Sequence, residues 1–329
     1  MQIDVAGTAT QKCARLAIAI PAYGRASAIA RSVAKMADQA RADDLDIVFY
    51  VSDDTADSSV RDAIQPLLDV GLPVIYRQNI PALRHDRNLV ATLLWPTADY
   101  VWLLGSAYTV QSAQLARAYH FLEEQDLVFV NNHFPDHAFV PLLQGEAALD
   151  CLRDRLWHQT LTGATIYGNR VRNWVARSGD ALKLVSDFPQ VSVMLGFASD
   201  QELKIGVFGQ PTLYASGSDT PSYWRSRAVD VFVDHWSEVV YAFPTVVPPD
   251  DRARVVREHS ARTQLFNTTN LIGHRLTGQF SWRSLTKRHF REAMHLPLWK
   301  LLLLLVLPVP ILKAGGSMLA QIKRRIGTS

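Results

Sequence analysis

The sequence has few cysteines and lacks the short motifs of several common functional sites. Its two cysteines, Cys13 and Cys151, cannot build a disulfide framework and do not lie in a CxxC or Cys/His pattern. No GxGxxG follows the first apolar strand, and the chain has no GxSxG, no HExxH and no GxxxxGK followed by Ser or Thr. These absences exclude a dinucleotide fingerprint, a nucleophile elbow, a zincin helix and a P-loop.

Targeting segments are also missing. The N-terminal segment MQIDVAGTATQKCARLA has no basic stretch followed by an apolar one, so it predicts no secretory signal and a cytoplasmic location. The apolar run 301–312 has 12 residues, whereas a helix that spans a bilayer needs about 20. With 329 residues, of which 48% are hydrophobic, the chain is long enough to bury the core of one large or two ordinary domains.

Positive charge is concentrated near the C-terminal end. Residues 281–329 include nine basic residues and one acidic residue, a net charge of +8, whereas the whole chain carries +3 and the remainder therefore −5. The body of the protein thus gives no reason to expect nucleic-acid binding. The run 301–312 contains two prolines and is flanked by Lys300 and Lys313. We therefore expect it to lie peripherally on an anionic membrane surface, with the basic residues of 283–325 against the headgroups. A buried core helix is the alternative.

The first half of the sequence alternates between apolar, β-branched runs and stretches with helical spacing. The apolar runs begin at intervals of 30, 27, 27 and 27 residues, at Leu16, Asp46, Pro73, Tyr100 and Leu127. Strands and helices that alternate at this interval form βαβ crossovers and a parallel sheet with helices on both faces. We therefore predict an α/β domain over residues 1–250, followed by a helical, basic, membrane-associating tail over 251–329.

Polar residues follow each predicted strand, at the edge where ligands of such sheets bind. The strand exits read LAIAIPAYGR, DIVFYVSDDTAD and NIPALRHDRNLVATLLWPTADYVWLLG. Together, from Leu16 to Gly105, these segments resemble the nucleotide-binding half of the family 2 glycosyltransferases, which have the GT-A fold. The resemblance implies that the chain transfers a sugar from a nucleotide-sugar donor to a glycan or lipid-linked acceptor, with inversion at the anomeric carbon.

The first two exits are the expected binding site for the donor's nucleoside. A carboxylate at a strand end accepts hydrogen bonds from the N3–H of a uracil or from ribose hydroxyls, which is the role expected of Asp53 and Asp54. One of the pair is also expected to cap the helix that begins near Ser58, and a turn role for both is the alternative. Tyrosine is suited to stacking on or flanking the base and proline to fixing the turn, and a packed turn aromatic is the alternative for the tyrosine. The residues expected from the first exit are Pro21, Tyr23 and Arg25.

The third exit is the expected site for the donor's diphosphate. Arg84 and Arg87 lie at the predicted start of a helix, a position that favours phosphate. Asp86 and Asn88 complete the set as donor-site residues or simply close the turn. A solvated or salt-bridged basic pair is the alternative for the two arginines.

The family's metal site is missing from the sequence. After YVWLLG, where family members carry a DxD-type acidic cluster that holds Mg²⁺ or Mn²⁺, this chain has Ser106, Ala107 and Tyr108. These three follow a predicted strand and are still expected to be donor-site residues. Hydroxyls are poor ligands for a hard dication beside a diphosphate. Three explanations stay open: a carboxylate such as Asp54 or Asp86 holds the ion, basic side chains replace it, or the chain is a catalytically silent scaffold of a membrane glycan-assembly complex. The candidate basic side chains are Arg84, Arg87, Lys204, Arg225 and Arg227.

An inverting transferase also needs a general base for the acceptor hydroxyl. LTGATIYGNRV resembles the strand that precedes the acceptor site in the family, and the acid at a comparable distance beyond it is Asp187. Ser186 stands where family members have a second acid. A helix N-cap role for Asp187, ahead of FPQVSVML, is the alternative.

Overall fold

The computed structural model describes residues 13–132, 138–217 and 222–312. Its strands are β1 (Ala14–Ala22), β2 (Ile47–Asp53), β3 (Val74–Gln78), β4 (Ala98–Leu103), β5 (Tyr108–Val110), β6 (Leu127–Val130), β7 (Phe139–Gln144), β8 (Thr165–Gly168), β9 (Lys204–Phe208) and β10 (Leu213–Ala215). Its α-helices are α1 (Ala26–Ala42), α2 (Ser59–Asp69), α3 (His85–Leu94), α4 (Ser112–Phe121), α5 (Gly145–Arg155), α6 (Asn169–Ser178), α7 (Pro189–Asp200), α8 (Trp236–Ala242), α9 (Pro249–Thr263), α10 (Thr268–Leu276), α11 (Phe290–Ala293) and α12 (Leu298–Val306). Short 3₁₀ helices cover Gly179–Ala181, Tyr223–Arg227 and Trp282–Thr286, and a π-helical segment covers Asp230–His235.

Eight strands form one sheet in the order β3-β2-β1-β4-β8-β6-β9-β7. The pairs β3–β2, β2–β1, β1–β4 and β6–β9 are parallel, whereas β8 runs antiparallel to both β4 and β6, and β7 runs antiparallel to β9. The apolar runs found by spacing are β1, β2, β3, β4 and β6. The prediction of an α/β fold with a mostly parallel sheet is therefore confirmed, although spacing did not predict that β8 separates β4 from β6.

The sheet is buried because its strands are apolar on both faces. Ile18 and Ala19 of β1 are neighbours on opposite faces of the sheet, and both are 0% exposed. α1 packs on one face through the residues at helical spacing, which include Val33 and Met36. This burial fixes the carboxyl edge of β1, β2 and β4, from which the predicted donor-site residues emerge.

A separate two-stranded sheet follows β4. Its strands, β5 and β10, are antiparallel, with Tyr108 opposite Ala215. The Ser216 N–H donates to the Ala107 carbonyl at 2.8 Å, which extends the pairing by one step. Residues 107 and 108, which follow the position where the resemblance predicts an acidic cluster to begin, are therefore held in a backbone ladder.

Contacts within the chain group its described residues into two units. The first contains 13–151, 158–184 and 189–217, and the second contains 152–157, 185–188 and 222–312. The core of the second unit is aromatic, with Trp236, Phe266, Phe280 and Phe290 all fully buried. The division at residue 250 stays a prediction about where the catalytic part ends. Over the described residues, none of the helices has the length and apolar character that crossing a membrane requires.

Candidate functional site

The exits of β1 and β2 meet at the carboxyl edge of the sheet. Pro21 is paired with Ser52 and Ala22 with Asp53 in the parallel register. The two loops beyond are tied together, because the Gly24 N–H donates to Thr55 Oγ1 at 2.8 Å. The structure thus brings the first two predicted exits side by side, as expected for parallel strands.

Asp53 and Asp54 are both buried and both bonded to the protein. Asp53 Oδ1 accepts from the Thr55 N–H at 2.8 Å, and its Oδ2 accepts from the Tyr76 hydroxyl at 2.7 Å. Burial and the hydrogen bond to Asp53 raise the pKa of Tyr76 well above its usual range, so this hydroxyl is a permanent donor. Asp54 Oδ1 accepts from the Leu83 N–H at 2.9 Å. The pair therefore shapes the loops at this edge.

The expected cap of α2 comes from a different residue. Asp57 Oδ1 accepts from the Ser59 N–H at 2.9 Å, at the first residue of the helix. Neither Asp53 nor Asp54 reaches that end. Asp53 is bonded to Tyr76, and Asp54 is bonded to Asn79 and to the loop after β3. The idea that one of the pair caps the helix near Ser58 is wrong.

A buried polar cluster supports this edge and includes residues that the sequence did not single out. The Asn79 amide donates to Asp54 Oδ1 at 2.9 Å and to Asn88 Oδ1 at 3.1 Å. The Ser52 hydroxyl donates to Asn88 Oδ1 at 2.8 Å, and Arg77 Nε donates to Ser52 Oγ at 3.1 Å. Asn88 is 4% exposed, so it fixes the start of α3 against β2, and direct contact with a donor stays a prediction.

The rim of the edge is formed by side chains with more exposure. Tyr23 is 77% exposed, and Arg25 immediately precedes α1 with a φ of 57°. Burial lowers the pKa of Arg25, and the nearby Tyr108 acts in the opposite direction. Burial likewise raises the pKa of Tyr108, and Arg25 opposes that rise. The two side chains therefore lie close enough to interact, which connects the exit of β1 with the start of β5.

The start of α3 presents two exposed guanidinium groups. Arg84, with a φ of 66°, immediately precedes the helix, and Arg87 lies in its first turn. Asp86 is bonded to its neighbour His85, with Asp86 Oδ1 and His85 Nδ1 2.7 Å apart. Over the part of the chain that the structure describes, neither arginine side chain forms an ion pair. Both charges lie at a helix start, a position that favours phosphate, and both are available to one.

The residues at this edge do not fit a Mg²⁺ or Mn²⁺ ion. Ser106 and Tyr108 offer only hydroxyls and Ala107 offers none. Of the two carboxylates considered as substitutes, Asp54 uses Oδ1 to bind the loop after β3 and Asp86 uses Oδ1 to bind His85. Within 13–132, 138–217 and 222–312, no three His, Cys, Asp or Glu side chains are grouped as metal ligands would be.

One of the basic candidates lies at the opposite edge of the sheet. Lys204 begins β9, which runs parallel to β6, and its Nζ is 2.9 Å from Glu124 Oε2. The first residue of a parallel strand lies at the amino edge, away from the donor-site residues. Lys204 is therefore wrong as a clamp on the donor's diphosphate. Arg225 and Arg227 belong to the second unit.

Asp187 of the second unit is part of a compact charged group. It is 9% exposed and has a φ of 66°. His235 Nδ1 is 2.6 Å from Asp187 Oδ2, and Arg227 Nη2 is 3.5 Å from the same oxygen. His235 was not singled out from the sequence, because it is 48 residues away in a segment with no recognisable motif. Asp187 Oδ2 therefore has an imidazole and a guanidinium within 3.5 Å, and a general-base role for this carboxylate stays a prediction.

The C-terminal helix α12 separates its apolar residues onto two faces. Leu301, Leu304 and Leu305 are at most 5% exposed, whereas Trp299, Leu303 and Val306 are 63%, 49% and 67% exposed. The exposed three follow helical spacing and form one stripe. Lys313, Lys323, Arg324 and Arg325, which belong to the predicted membrane-binding tail, lie outside the described residues.

Comparisons with known proteins agree with this architecture. No protein-family model matches the chain. The abequosyltransferase RfbV of Salmonella typhimurium is 27% identical over 246 residues, which cover 67% of this chain and 72% of the relative. Among solved structures, residues 1–349 of S. aureus TarS with UDP-GlcNAc align with a TM-score of 0.54 and 15% identity over 88% of this chain and 84% of that one. The same TarS fragment with UDP aligns with a TM-score of 0.50 and 14% identity over 80% and 75% of the two chains. The chain therefore has the GT-A-like fold of such glycosyltransferases.

Proposed function

We propose that this protein is a glycosyltransferase that moves a sugar from a nucleoside-diphosphate donor to a hydroxyl of a glycan or lipid-linked acceptor. The observation that carries the proposal is the carboxyl edge of β1, β2 and β4. There a buried polar cluster supports the loops that carry Tyr23, Arg25, Arg84 and Arg87 at one end of a GT-A-like sheet. A sequence relative that is itself a glycosyltransferase supports the same class.

The donor's two halves are expected to bind different parts of this edge. Tyr23 offers an exposed aromatic face for the base, and the backbone and side chains at Asp53 and Asp54 set the shape of the nucleoside pocket. Arg84 and Arg87 bind the diphosphate at the start of α3. The two guanidinium groups then stabilise the charge that develops on the leaving diphosphate. In the family that the sequence resembles, a carboxylate-bound cation has this role.

Every bond, electron pair and proton in the transfer is accounted for by the donor, the acceptor and the groups of this chain. The acceptor oxygen forms a bond to the anomeric carbon, the bond from that carbon to the diphosphate oxygen breaks, and its electron pair stays on the diphosphate. The proton of the acceptor hydroxyl passes to the pair formed by Asp187 and His235. Attack opposite to the leaving group inverts the anomeric configuration.

We further propose attachment to the cytoplasmic face of a membrane through the second unit. The stripe of Trp299, Leu303 and Val306 is exposed, and the chain from residue 281 onward carries a charge of +8. An apolar stripe beside basic residues suits the interface of an anionic bilayer.

The first test is nucleotide binding by the full chain. We expect one of UDP, GDP, CDP or dTDP to bind in calorimetry, with less than about a two-fold change in affinity when Mg²⁺ or Mn²⁺ is added, because the fixed charges replace the ion. The double substitution Arg84→Gln with Arg87→Gln should weaken binding about ten-fold or more, since each charged hydrogen bond to phosphate contributes substantially. Arg41→Gln, in the last turn of α1, is the control and should have little effect on nucleotide binding.

Two outcomes would contradict the proposal. If no nucleotide binds, the catalytically silent scaffold becomes the better account of this fold. If binding requires the metal and survives loss of both arginines, the clamp is not formed by these residues.

A further inference from the structure

An open cavity of about 570 Å³ lies in the second unit, outside the donor-site residues. One wall is the 3₁₀ segment that ends at Arg227, and the other is the stretch from Thr277 to Lys287. Its lining is rich in hydroxyl groups, and the residues that carry them are Ser226, Thr277, Ser281, Ser284 and Thr286. Three of these hydroxyls, those of Thr277, Ser284 and Thr286, donate to backbone carbonyls. Because the lining also has few apolar side chains, it suits a polar, solvated ligand group that is bound mainly by charge.

The charged residues of the cavity have unequal partners. Lys287 is held by two acids, with its Nζ 2.8 Å from Asp230 Oδ1 and also bonded to Asp234. Arg227 makes a single 3.5 Å contact with Asp187. Arg283 is exposed and forms no ion pair with any residue in the described ranges. The cavity therefore offers one fully available guanidinium and a second that is only loosely engaged, an arrangement that attracts an anion.

The cavity also adjoins the proposed proton acceptor. Arg227 lines it and at the same time approaches Asp187 Oδ2, the oxygen that His235 contacts. Arg227 thus connects the cavity with the Asp187 carboxylate. An acceptor held in the cavity by a charged group at Arg227 would have the atoms next to that group on the side of the proposed proton acceptor.

We propose that this cavity is an acceptor subsite that binds a phosphate or diphosphate group carried by the acceptor, through Arg283 and Arg227. The inference rests on the proposed transferase function and deepens it, because it assigns the acceptor to the class of phosphorylated or diphosphate-linked compounds. Trp282, which is 51% exposed and adjacent to Arg283 in the chain, provides an apolar surface for the part of the acceptor next to the phosphate.

The experiment uses the full chain with its donor site filled by a saturating nucleoside diphosphate, so that added phosphates report on the cavity alone. Farnesyl diphosphate, inorganic pyrophosphate and farnesol are titrated in turn by calorimetry. We expect farnesyl diphosphate and pyrophosphate to bind, and farnesol to bind at least about ten-fold more weakly than farnesyl diphosphate. Arg283→Gln should lower the affinity for both phosphate compounds about ten-fold. Arg257→Gln, an exposed arginine on α9 outside the cavity, is the matched control and should change affinity less than two-fold.

The outcomes separate the subsite from the function. Undiminished phosphate binding by Arg283→Gln overturns the subsite, whether or not a nucleotide binds. Arg283→Gln could instead leave the affinity for the soluble phosphates unchanged and reduce the preference of the protein for phosphatidylglycerol vesicles over phosphatidylcholine vesicles. The cavity would then bind a membrane headgroup, and the acceptor role would be overturned. Failure of every nucleotide to bind overturns the transferase proposal instead, and pyrophosphate then still reports on the cavity.

Discussion

At the scale of single residues, the pair of Asp187 and His235 is the most informative target. In the ionised carboxylate, Oδ2 accepts from the ring nitrogen at 2.6 Å. Asp187→Asn removes the proton acceptor and should lower kcat by a factor of about 10² to 10⁴. His235→Asn keeps the carboxylate but loses its orientation and should lower kcat about ten-fold.

The kinetic constants distinguish positioning from packing. A histidine that orients the reacting carboxylate acts on the chemical step, so His235→Asn should lower kcat and leave KM within about two-fold. His120→Gln, at the exposed end of α4, is the control and should leave both constants unchanged. An unchanged kcat in His235→Asn would show that the histidine only fills space.

Residues of this kind also mark the limit of prediction from sequence. Asp53 and Asp54 were found because a carboxylate after an apolar strand is visible as a pattern. Tyr76 and His235 were not, since each acts through a partner 23 or 48 residues away. Such pairings depend on how strands and helices are brought together, and no local spacing records them.

At the scale of elements, spacing predicted β1 to β4, β6 and the helices between them, because strands buried on both faces are apolar throughout. It did not predict the antiparallel β8, a strand of only four residues. Short apolar runs do not distinguish strand from helix and carry no information on direction.

The element with the clearest expected behaviour is α12. Replacing Trp299, Leu303 and Val306 together by Ser removes the exposed stripe but leaves the buried leucines in place. Binding to phosphatidylglycerol vesicles in a flotation assay should fall at least about ten-fold, because the lost apolar area no longer enters the interface. Val70→Ser, which alters a 69% exposed valine of the first unit, should bind like the unaltered protein. Equal flotation of all three proteins would rule out α12 as the attachment site.

At the scale of the whole molecule, one buried histidine links stability to pH. His259 is 3% exposed and stacks on Phe232 with ring centroids 4.6 Å apart. Burial lowers the pKa of His259 from 6.5 to about 3. Below pH 6.5 the unfolded chain therefore binds a proton at His259, whereas the folded chain does not. Above pH 6.5 this group does not lower the free energy of unfolding. As the pH falls from 6.5 towards 3, the free energy of unfolding decreases by up to about 1.4 kcal/mol per pH unit.

Urea unfolding across this range measures the effect. His259→Phe should unfold with a shallower dependence on pH between 6.5 and 3 than the unaltered protein. His120→Gln, which alters an exposed histidine, should retain the full slope. A slope in His259→Phe equal to that of the unaltered protein would show that the acid sensitivity comes from the carboxylates.

The position of β8 restricts how the chain can be divided. Because β8 lies between β4 and β6, a fragment that ends before residue 165 contains the nucleotide-binding segments but leaves an edge of β4 unpaired in the middle of the sheet. Exposed strand edges associate with other chains. Gene fragments that stop at the end of the recognisable motifs should therefore aggregate when expressed, and during synthesis on the ribosome the sheet becomes continuous only after Gly168 has emerged.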